Sequence, residues 1–276
     1  MSTSTKLIKN ITVGSDPEIF IVDKLTNQIV PAYTFTNGSK EQATKVDDIK
    51  VLSDNVMLEF NIEPCRTSEG FANTIGNALE SITNKVIPKS TMISSECSLS
   101  VSKEYLKDKK VLEFGCMPDW NAWDLSVNKV GKPKDKAQRC SGGHLHYGFD
   151  NAIEEQSLEM LRLFDLFLGL PSIAEDKDTK RKELYGKAGA FRLTPYGFEY
   201  RVLSNYWIFS KENVQRTFDR IMLATDYRNE GNTINPKSDV SKMIVEAINS
   251  QDNDLAKRIY KKVLTPSTVS KLTLQT

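Results

Sequence analysis

The sequence has no apolar run near the ~20 residues that a membrane-spanning helix needs. Its opening stretch, MSTSTKLIKN, lacks the apolar core of a secretory signal. The four cysteines show no C-x-x-C spacing, which disfavours both a disulfide scaffold and a structural zinc site. A formal net charge of +1 over 276 residues gives no general reason to expect a nucleic-acid or membrane surface. We therefore expect a cytoplasmic protein with reduced thiols.

Strand and helix patterns are mixed along the chain, without the regular β-α-β alternation of a parallel sheet, so the predicted class is α+β. Alternating apolar residues predict strands at 6–22, 51–63, 98–101, 111–114, 143–149 and 198–203. Helical spacing predicts helices over 68–86, over 157–168 with Pro171 at its end, and in three segments from residue 211 onward. No clear linker divides the chain, so we predict one domain over 1–276, with a core at 11–208 and a helical extension at 209–276.

Potential metal ligands recur two residues apart on four of the predicted strands. They are found in Asp16-Pro-Glu18, Glu59-Phe-Asn61-Ile-Glu63, His144-Leu-His146 and Glu199-Tyr-Arg201. Residues two apart on a strand point to the same face, and the residues between these pairs are mostly apolar. Each strand is therefore expected to turn an apolar face to a core and a functional face to the other side.

A solvent-facing sheet would alternate in the same way, and for any single strand that is the commoner explanation. The composition favours a site, because these positions hold carboxylates, an amide, imidazoles and one arginine instead of a mixture of Lys, Thr, Ser and Gln. Carboxylates set side by side repel unless cations neutralise them. The number of oxygen ligands suits Mg²⁺ or Mn²⁺. Zinc held by the two histidines and a carboxylate is a competing interpretation.

The segment before the fourth strand supplies further candidates. Gly186 and Gly189 would permit close approach of the backbone to a ligand, and Lys187 could meet a phosphate. Ordinary turn glycines are an equally good explanation, and the Walker spacing is absent. Arg192 and Arg201 are suited to neutralise a transferring phosphoryl group through forked hydrogen bonds. The alternatives are a surface arginine for the first and a structural ion pair with the carboxylate two residues earlier for the second.

In this order the motifs resemble the glutamine synthetase-like superfamily of carboxylate–amine ligases, and within it the phage COOH·NH2 ligase group. Glutamine synthetases carry E-x-E, an acidic ligand, H-x-H after small residues and E-x-R on four successive strands. The sequence repeats that order over residues 14–207, with Gly142-Gly-His-Leu-His-Tyr-Gly148, Tyr185-Gly-Lys-Ala-Gly189 and Gly197-Phe-Glu-Tyr-Arg-Val-Leu-Ser-Asn-Tyr-Trp207 as its most detailed stretches. The resemblance implies a curved, mainly antiparallel catalytic sheet with helices on its outer face and a helical C-terminal tail.

The resemblance also implies site residues. The implied metal ligands are Asp16, Glu18, Glu59, His144 and Glu199, and two carboxylates on neighbouring strands, Glu63 and Glu113, could be another ligand. The residues implied around the ATP phosphates and the acyl phosphate are His146, Arg192 and Arg201, to which the phosphate candidate Lys187 is added. We predict catalytic roles for Arg192, Glu199 and Arg201. One departure concerns the first pair, which has aspartate where the synthetases have glutamate, so that its reach is shorter.

The implied activity is an ATP- and Mg²⁺-dependent ligase, with Mn²⁺ as a substitute, that joins a carboxylate to an amine through an acyl phosphate. An amino acid or a peptide is the expected substrate, and the host cytoplasm is the expected location for a phage enzyme. The alternatives are a metal-dependent hydrolase that uses the same ligands, a non-catalytic metal- or phosphate-binding module, and a kinase that leaves a stable phosphorylated product. Asp165, three residues after Arg162, is expected to form a local ion pair with no catalytic part.

Overall fold

The computed structural model describes residues 6–39, 41–108, 111, 119–128, 131 and 134–272. Its strands form two five-stranded antiparallel sheets and one two-stranded sheet. The first sheet has the spatial order β1 (Thr12–Ser15), β10 (Leu145–Gly148), β12 (Gly197–Tyr200), β11 (Ala190–Thr194) and β8 (Trp120–Asn121). The second has the order β3 (Thr44–Val46), β4 (Ile49–Asp54), β5 (Met57–Asn61), β2 (Glu18–Asp23) and β6 (Thr91–Ser94). The small sheet pairs β7 (Ser98–Ser100) with β9 (Gln138–Cys140).

Helices occupy the intervals between the strands and the whole C-terminal part of the described chain. They are α1 (Ser68–Ser81), α2 (Glu154–Phe164), α3 (Leu170–Glu175), α4 (Arg181–Leu184), α5 (Lys211–Asn229), α6 (Asp239–Ser250), α7 (Asn253–Val263) and α8 (Pro266–Leu272). Wide, π-helical turns extend α1 over Ile82–Val86 and join α2 to α3 over Asp165–Gly169. Short 3₁₀ turns lie at Ala32–Thr34, Tyr105–Lys107 and Asn205–Phe209. None of the described helices is both long enough and apolar enough to cross a bilayer.

The two large sheets meet at Pro17, which separates β1 from β2. Proline has no N–H to donate to a ladder and therefore interrupts the pairing. A backbone bond still links the two sheets, since the N–H of Ile62 donates to the carbonyl of Ser15 at 3.2 Å. Asp16 consequently lies at the junction, and Glu18 begins the second sheet.

Helices cover the apolar face of the first sheet. Phe164 of α2 packs edge to face against Tyr147, Phe198 and Tyr200, with ring centroids 5.3, 5.2 and 5.4 Å away. Such aromatic pairs are worth about 0.5–1.5 kcal/mol each beyond their area burial. These three residues alternate along the strands with the polar pairs, so the polar side chains lie on the opposite face of the sheet. The α+β class is confirmed, as are helices packed against the apolar face and a helical C-terminal segment. A single domain over 1–276 remains a prediction.

Two predicted strands are each divided in the structure: 6–22 forms β1 and β2 on either side of Pro17, and 51–63 forms β4 and β5. The segment 51–63 is a β-hairpin made of β4 and β5, because Asn55 turns the chain with a left-handed φ of 55°, a conformation that asparagine tolerates well. The strand β11 was not predicted, since its glycine-containing approach resembles a loop. The hairpin and β11 both matter for the site, because the hairpin positions Asp54 and β11 positions Arg192.

The predicted end of the second helix at Pro171 is also wrong. The helix continues through the wide turn Asp165–Gly169 into α3, and Pro171 lies in the first turn of that segment. A proline is tolerated there because the wide turn before it departs from the regular i→i−4 bonding that a proline, which has no N–H, would interrupt. The predicted strand at 111–114, with Glu113, lies outside the described residues from 112 onward.

Candidate active site

The strand register brings three charged side chains together in the middle of the first sheet. His146 on β10 is opposite Glu199 on β12, which is in turn opposite Arg192 on β11. Each of these strands is antiparallel to its neighbour, so directly opposite residues share one face. The same pairing continues past the ends of β10 and β12, where His144 precedes one strand and Arg201 follows the other. The i, i+2 spacing in the sequence determines the face of the strand on which each side chain lies. The register between neighbouring strands determines which of these side chains come into contact.

A first group of ligand atoms consists of Asp16, His144 and Glu199, whose oxygen and nitrogen atoms lie within 4.8 Å of one another. Nδ1 of His144 is 3.4 Å from Oδ1 of Asp16 and 3.3 Å from Oε1 of Glu199. Nε2 of the neighbouring His146 is 3.2 Å from the same Asp16 oxygen. Burial alone would raise the pKa of Asp16, but the two histidines offset this effect and hold the pKa of that carboxyl far below its usual range.

A second group consists of three carboxylates, Glu18, Asp54 and Glu59, which also lie within 4.8 Å of one another. Glu18 and Glu59 are directly opposite each other on β2 and β5, and Asp54 ends β4 at the hairpin turn. The N–H of Gly142 donates to Oε2 of Glu18 at 2.6 Å. Burial and the charge of Asp54 raise the pKa of Glu18, partly opposed by His144. Three neighbouring carboxylates repel unless a cation neutralises them.

Both groups fit a divalent cation. Oδ1 of Asp16 and Nε2 of His146 are buried, and neither accepts or donates a hydrogen bond. Five of the six ligand atoms in the two groups are carboxylate oxygens and one is an imidazole nitrogen. Such a set suits a hard ion such as Mg²⁺ or Mn²⁺ better than the nitrogen- and sulfur-rich sites of zinc. His144 and His146 do not belong to the same group, which disfavours the zinc interpretation.

Five of the six ligand residues, all except Glu199, line one open cleft with a volume of about 1370 Å³. Arg192 and Arg201 line the same cleft, whose outer wall is formed by the β3–β5 strands and α1. Glu63 is exposed on this wall and lies outside both ligand groups. Lys187 is half-buried and does not contribute to the wall. Their roles as a metal ligand and a phosphate ligand remain predictions.

Arg201 is buried between two carboxylates. Its Nε lies 2.6 Å from Oδ1 of Asp119, and its guanidinium also donates to Glu199 and lies 3.1 Å from Nδ1 of His144. The ion pair with Glu199, one of the two interpretations of this arginine, is therefore present. Arg192 is more exposed and more distant, at 3.7 Å from Asp119 and 3.9 Å from Glu199. Arg192 is therefore the more accessible of the two arginines from the cleft.

Three residues of the site were not predicted from the sequence. Asp54 was placed inside a continuous strand, although the Asp-Asn dipeptide that follows Ser53 is a turn signal. Asp119 lies in a segment that was interpreted only as a loop. Tyr196 lies in the turn between β11 and β12, and its hydroxyl is 2.6 Å from Nδ1 of His146. That contact occupies one ring nitrogen and directs the other toward Asp16.

Gly142 offers a test of the first ligand group. A methyl group on Gly142 would overlap the ring of His144 around Nε2. We expect Gly142→Ala to displace the imidazole and to weaken Mn²⁺ binding about 10–100-fold, the usual effect of disturbing the support of a metal ligand. The measurement is the rise in melting temperature on addition of Mn²⁺.

Gly76 provides the matched control for this substitution. It lies inside α1 with open space where its side chain would be, so Gly76→Ala should stabilise the protein by about 0.5–1 kcal/mol and leave the Mn²⁺ response intact. An Mn²⁺ response in Gly142→Ala as large as that of the native protein would contradict the assignment of His144.

The fold and the two ligand groups define an α+β protein with a candidate divalent-metal centre in an open cleft. Residues 131–267, just under half of the chain, match the family model described as phage phiEco32-like COOH.NH2 ligase-type 2. This match confirms the resemblance found in the motifs, and we assign the segment to that family, whose name indicates a carboxylate–amine ligase. No curated protein matches the chain. The matched segment contains β10 to β12, whereas Asp16, the second ligand group and Asp119 precede it.

Proposed function

We propose that the protein is an ATP-dependent ligase that joins a carboxylate to an amine through an acyl phosphate. In this reaction the carboxylate oxygen takes the γ-phosphoryl group of ATP and ADP leaves. The amine nitrogen then attacks the acyl carbon, phosphate leaves with the former carboxylate oxygen, and an amide remains. The observation that carries this proposal is the presence of two candidate cation-binding groups at one cleft. The chain that carries them also contains a segment, residues 131–267, that matches a ligase family. A glutamine synthetase-like fold is part of the proposal.

The two ligand groups are proposed to hold Mg²⁺, or Mn²⁺ in its place. Bound ions of this kind neutralise phosphate charge and orient the reacting oxygens. Asp16, His144 and Glu199 would hold one ion, and Glu18, Asp54 and Glu59 another. His144 of the first group lowers the pKa of Glu18, and the N–H of Gly142, two residues before His144, donates to Glu18; both observations support a shared role for the two sites.

The two arginines, Arg192 and Arg201, are proposed to have different roles. Arg201 is fixed by Asp119 and Glu199 and would present a rigid positive charge beside the first ligand group. Arg192, which lines the cleft and is more exposed than Arg201, would approach the transferring phosphoryl group. A guanidinium offers forked donors for phosphate oxygens, and preorganised charge is effective where negative charge develops. His146 is proposed to meet a phosphate oxygen beside Asp16, with its ring held by Tyr196.

The experiment that tests this proposal follows ¹⁸O from the acid substrate. The protein is incubated with ATP, Mg²⁺, amines and a panel of ¹⁸O-labelled amino acids and short peptides, and ADP, phosphate and amide are measured. We expect ADP and amide in equal amounts and one ¹⁸O atom in each phosphate released. Bond cleavage without ATP would favour the hydrolase. ADP without released phosphate would favour the kinase. Stabilisation by Mn²⁺ without turnover across the panel would favour the binding module.

A further inference from the structure

Asp165 is a completely buried carboxylate on the core side of the first sheet, behind the candidate site. Its two oxygens accept hydrogen bonds of 2.7 Å from the hydroxyl of Tyr200 and from the indole N–H of Trp123. The backbone N–H of Gly189 is a third donor. Burial raises the pKa of Asp165 to about 6, although these donors act in the opposite direction. The expected ion pair with Arg162 is wrong, because Arg162 donates to the carbonyl of Ala122.

The three donors belong to three different segments, and each of those segments carries a charged side chain of the candidate site, namely Arg201, Arg192 or Asp119. Tyr200 lies between Glu199 and Arg201 on the same strand, and because side chains alternate, its ring lies on the core side while its neighbours face the cleft. Gly189 directly precedes β11, the strand of Arg192. Trp123 follows Asp119 by four residues. The buried carboxylate of Asp165 therefore contacts three segments from the core side of the sheet, and the opposite sides of these segments form the site.

The segment that bears Asp119 has few other attachments to the sheet. Its strand β8 is only two residues long. The N–H of Ala122 donates to the carbonyl of Gly189 at 2.9 Å, which brings the same two segments together again. Two bonds join the segment to the helix layer: the buried bond from the indole N–H of Trp123 to Asp165, and the bond from Nε of Arg162 to the carbonyl of Ala122. The Asp119 carboxylate of the same segment lies 2.6 Å from Nε of Arg201.

We propose that Asp165 is a positioning residue that fixes Asp119 and Glu199 around Arg201 by holding Trp123, Tyr200 and the N–H of Gly189 from behind the sheet. The catalytic consequence rests on the proposed ligase function. Asp165 itself touches neither the cleft nor a substrate. Loss of one of its donors should shift the 119–124 segment and leave the cleft wall formed by the second sheet unchanged.

The test compares Asp165→Asn with Trp123→Phe, which removes the indole N–H together with one of the two rings, and with Tyr200→Phe, which removes only a hydroxyl. We expect each to lower kcat by about 10–100-fold, as loss of a supporting bond to a site residue does, and to change the KM for ATP less than about 3-fold. We also expect faster amide hydrogen exchange in 119–124, measured in the full-length protein without nucleotide. If Asp165→Asn does not fold, Trp123→Phe and Tyr200→Phe decide the question.

Thr225→Val is the matched control. Thr225 is buried on α5 and bonds the hydroxyl of Tyr147, a core-facing tyrosine of the neighbouring strand, at 2.9 Å. Its loss should lower stability to a similar degree and leave kcat and the 119–124 exchange unchanged. Equal effects of the control and of Trp123→Phe on kcat, or unchanged exchange in both donor variants, would overturn the proposal. If the native protein proves to lack ligase turnover, the exchange measurement alone still supports or overturns the positioning role.

Discussion

A Glu199→Gln variant is expected to lose ATP-dependent amide formation by at least about 10³-fold while it keeps the native fold. Glu199 is 6 % exposed and belongs to the first ligand group with Asp16 and His144. Glutamine has the same shape but no charge, so it replaces an anionic ligand with a weak neutral one and leaves the ion misplaced. Loss of one preorganised electrostatic contact typically costs 10²–10³ in kcat, and a metal ligand should cost more.

Two measurements distinguish the loss of a metal ligand from a general loss of stability. The apparent melting temperature without metal should stay close to the native value, because Arg201 keeps its 2.6 Å ion pair with Asp119 when Glu199 loses its charge. The rise in melting temperature with Mn²⁺ should shrink. A suitable comparison is Glu159→Gln, which removes the charge from a 2.9 Å ion pair with Arg228 in the helix layer and should affect stability without affecting turnover. Ordinary activity in Glu199→Gln would show that the ligand assignment is wrong.

An Arg201→Met variant is expected to be both inactive and unstable. Arg201 is 5 % exposed and is the cation between Asp119 and Glu199. Breaking a buried ion pair by removing one partner typically costs about 3–5 kcal/mol, because the remaining charge is buried without compensation. For a chain of this size such a loss lowers the melting temperature by roughly 10 °C. Thermal unfolding in the absence of metal measures it.

The double variant Asp119→Asn/Arg201→Met identifies the cause. If the buried charge is responsible, removal of Asp119 should restore about 1–3 kcal/mol of the lost stability, as coupled neighbours do in a double-mutant cycle. Activity should stay lost, because the guanidinium is still absent. Arg216→Met is the control for arginine loss, since Arg216 on α5 is partly exposed and makes a 3.9 Å contact with Glu175 and a 2.9 Å hydrogen bond to Asn213. Additive effects of the two changes would contradict the ion-pair account.

The spacing of polar residues in the sequence predicted which strand faces form the site, but it did not predict all of the residues that belong to the site. The i, i+2 spacing predicted that His144 shares a face with His146, and Glu199 with Arg201, because alternation along a strand is a local property. Strand register then brings Asp16, His144 and Glu199 within 4.8 Å of one another. Asp54 was missed because its position depends on the hairpin at Asn55, which makes one predicted strand into two. Such long-range placement follows from strand register, and register is fixed by the whole sheet and its turns.

Asp119 and Asp165 show a second limit of local patterns. Asp119 enters the site from a loop, and no periodicity marks a loop residue that meets a buried arginine. Asp165 has Arg162 three residues before it, a spacing that favours an ion pair on a regular helix. In the structure both side chains reach toward the 119–124 segment, because the indole of Trp123 and the carbonyl of Ala122 offer buried partners. Tertiary contacts therefore override the local pairing.

The most direct test of the central claim is the position of Mn²⁺ in crystals grown with a non-hydrolysable ATP analogue, located by anomalous scattering. The account predicts one ion held by Asp16, His144 and Glu199 and another held by Glu18, Asp54 and Glu59, with the analogue's phosphates between the ions and Arg192. Absence of an ion from the group of three carboxylates would contradict the account. So would a single ion bound by His144 and His146 together, which is the arrangement expected of a zinc site.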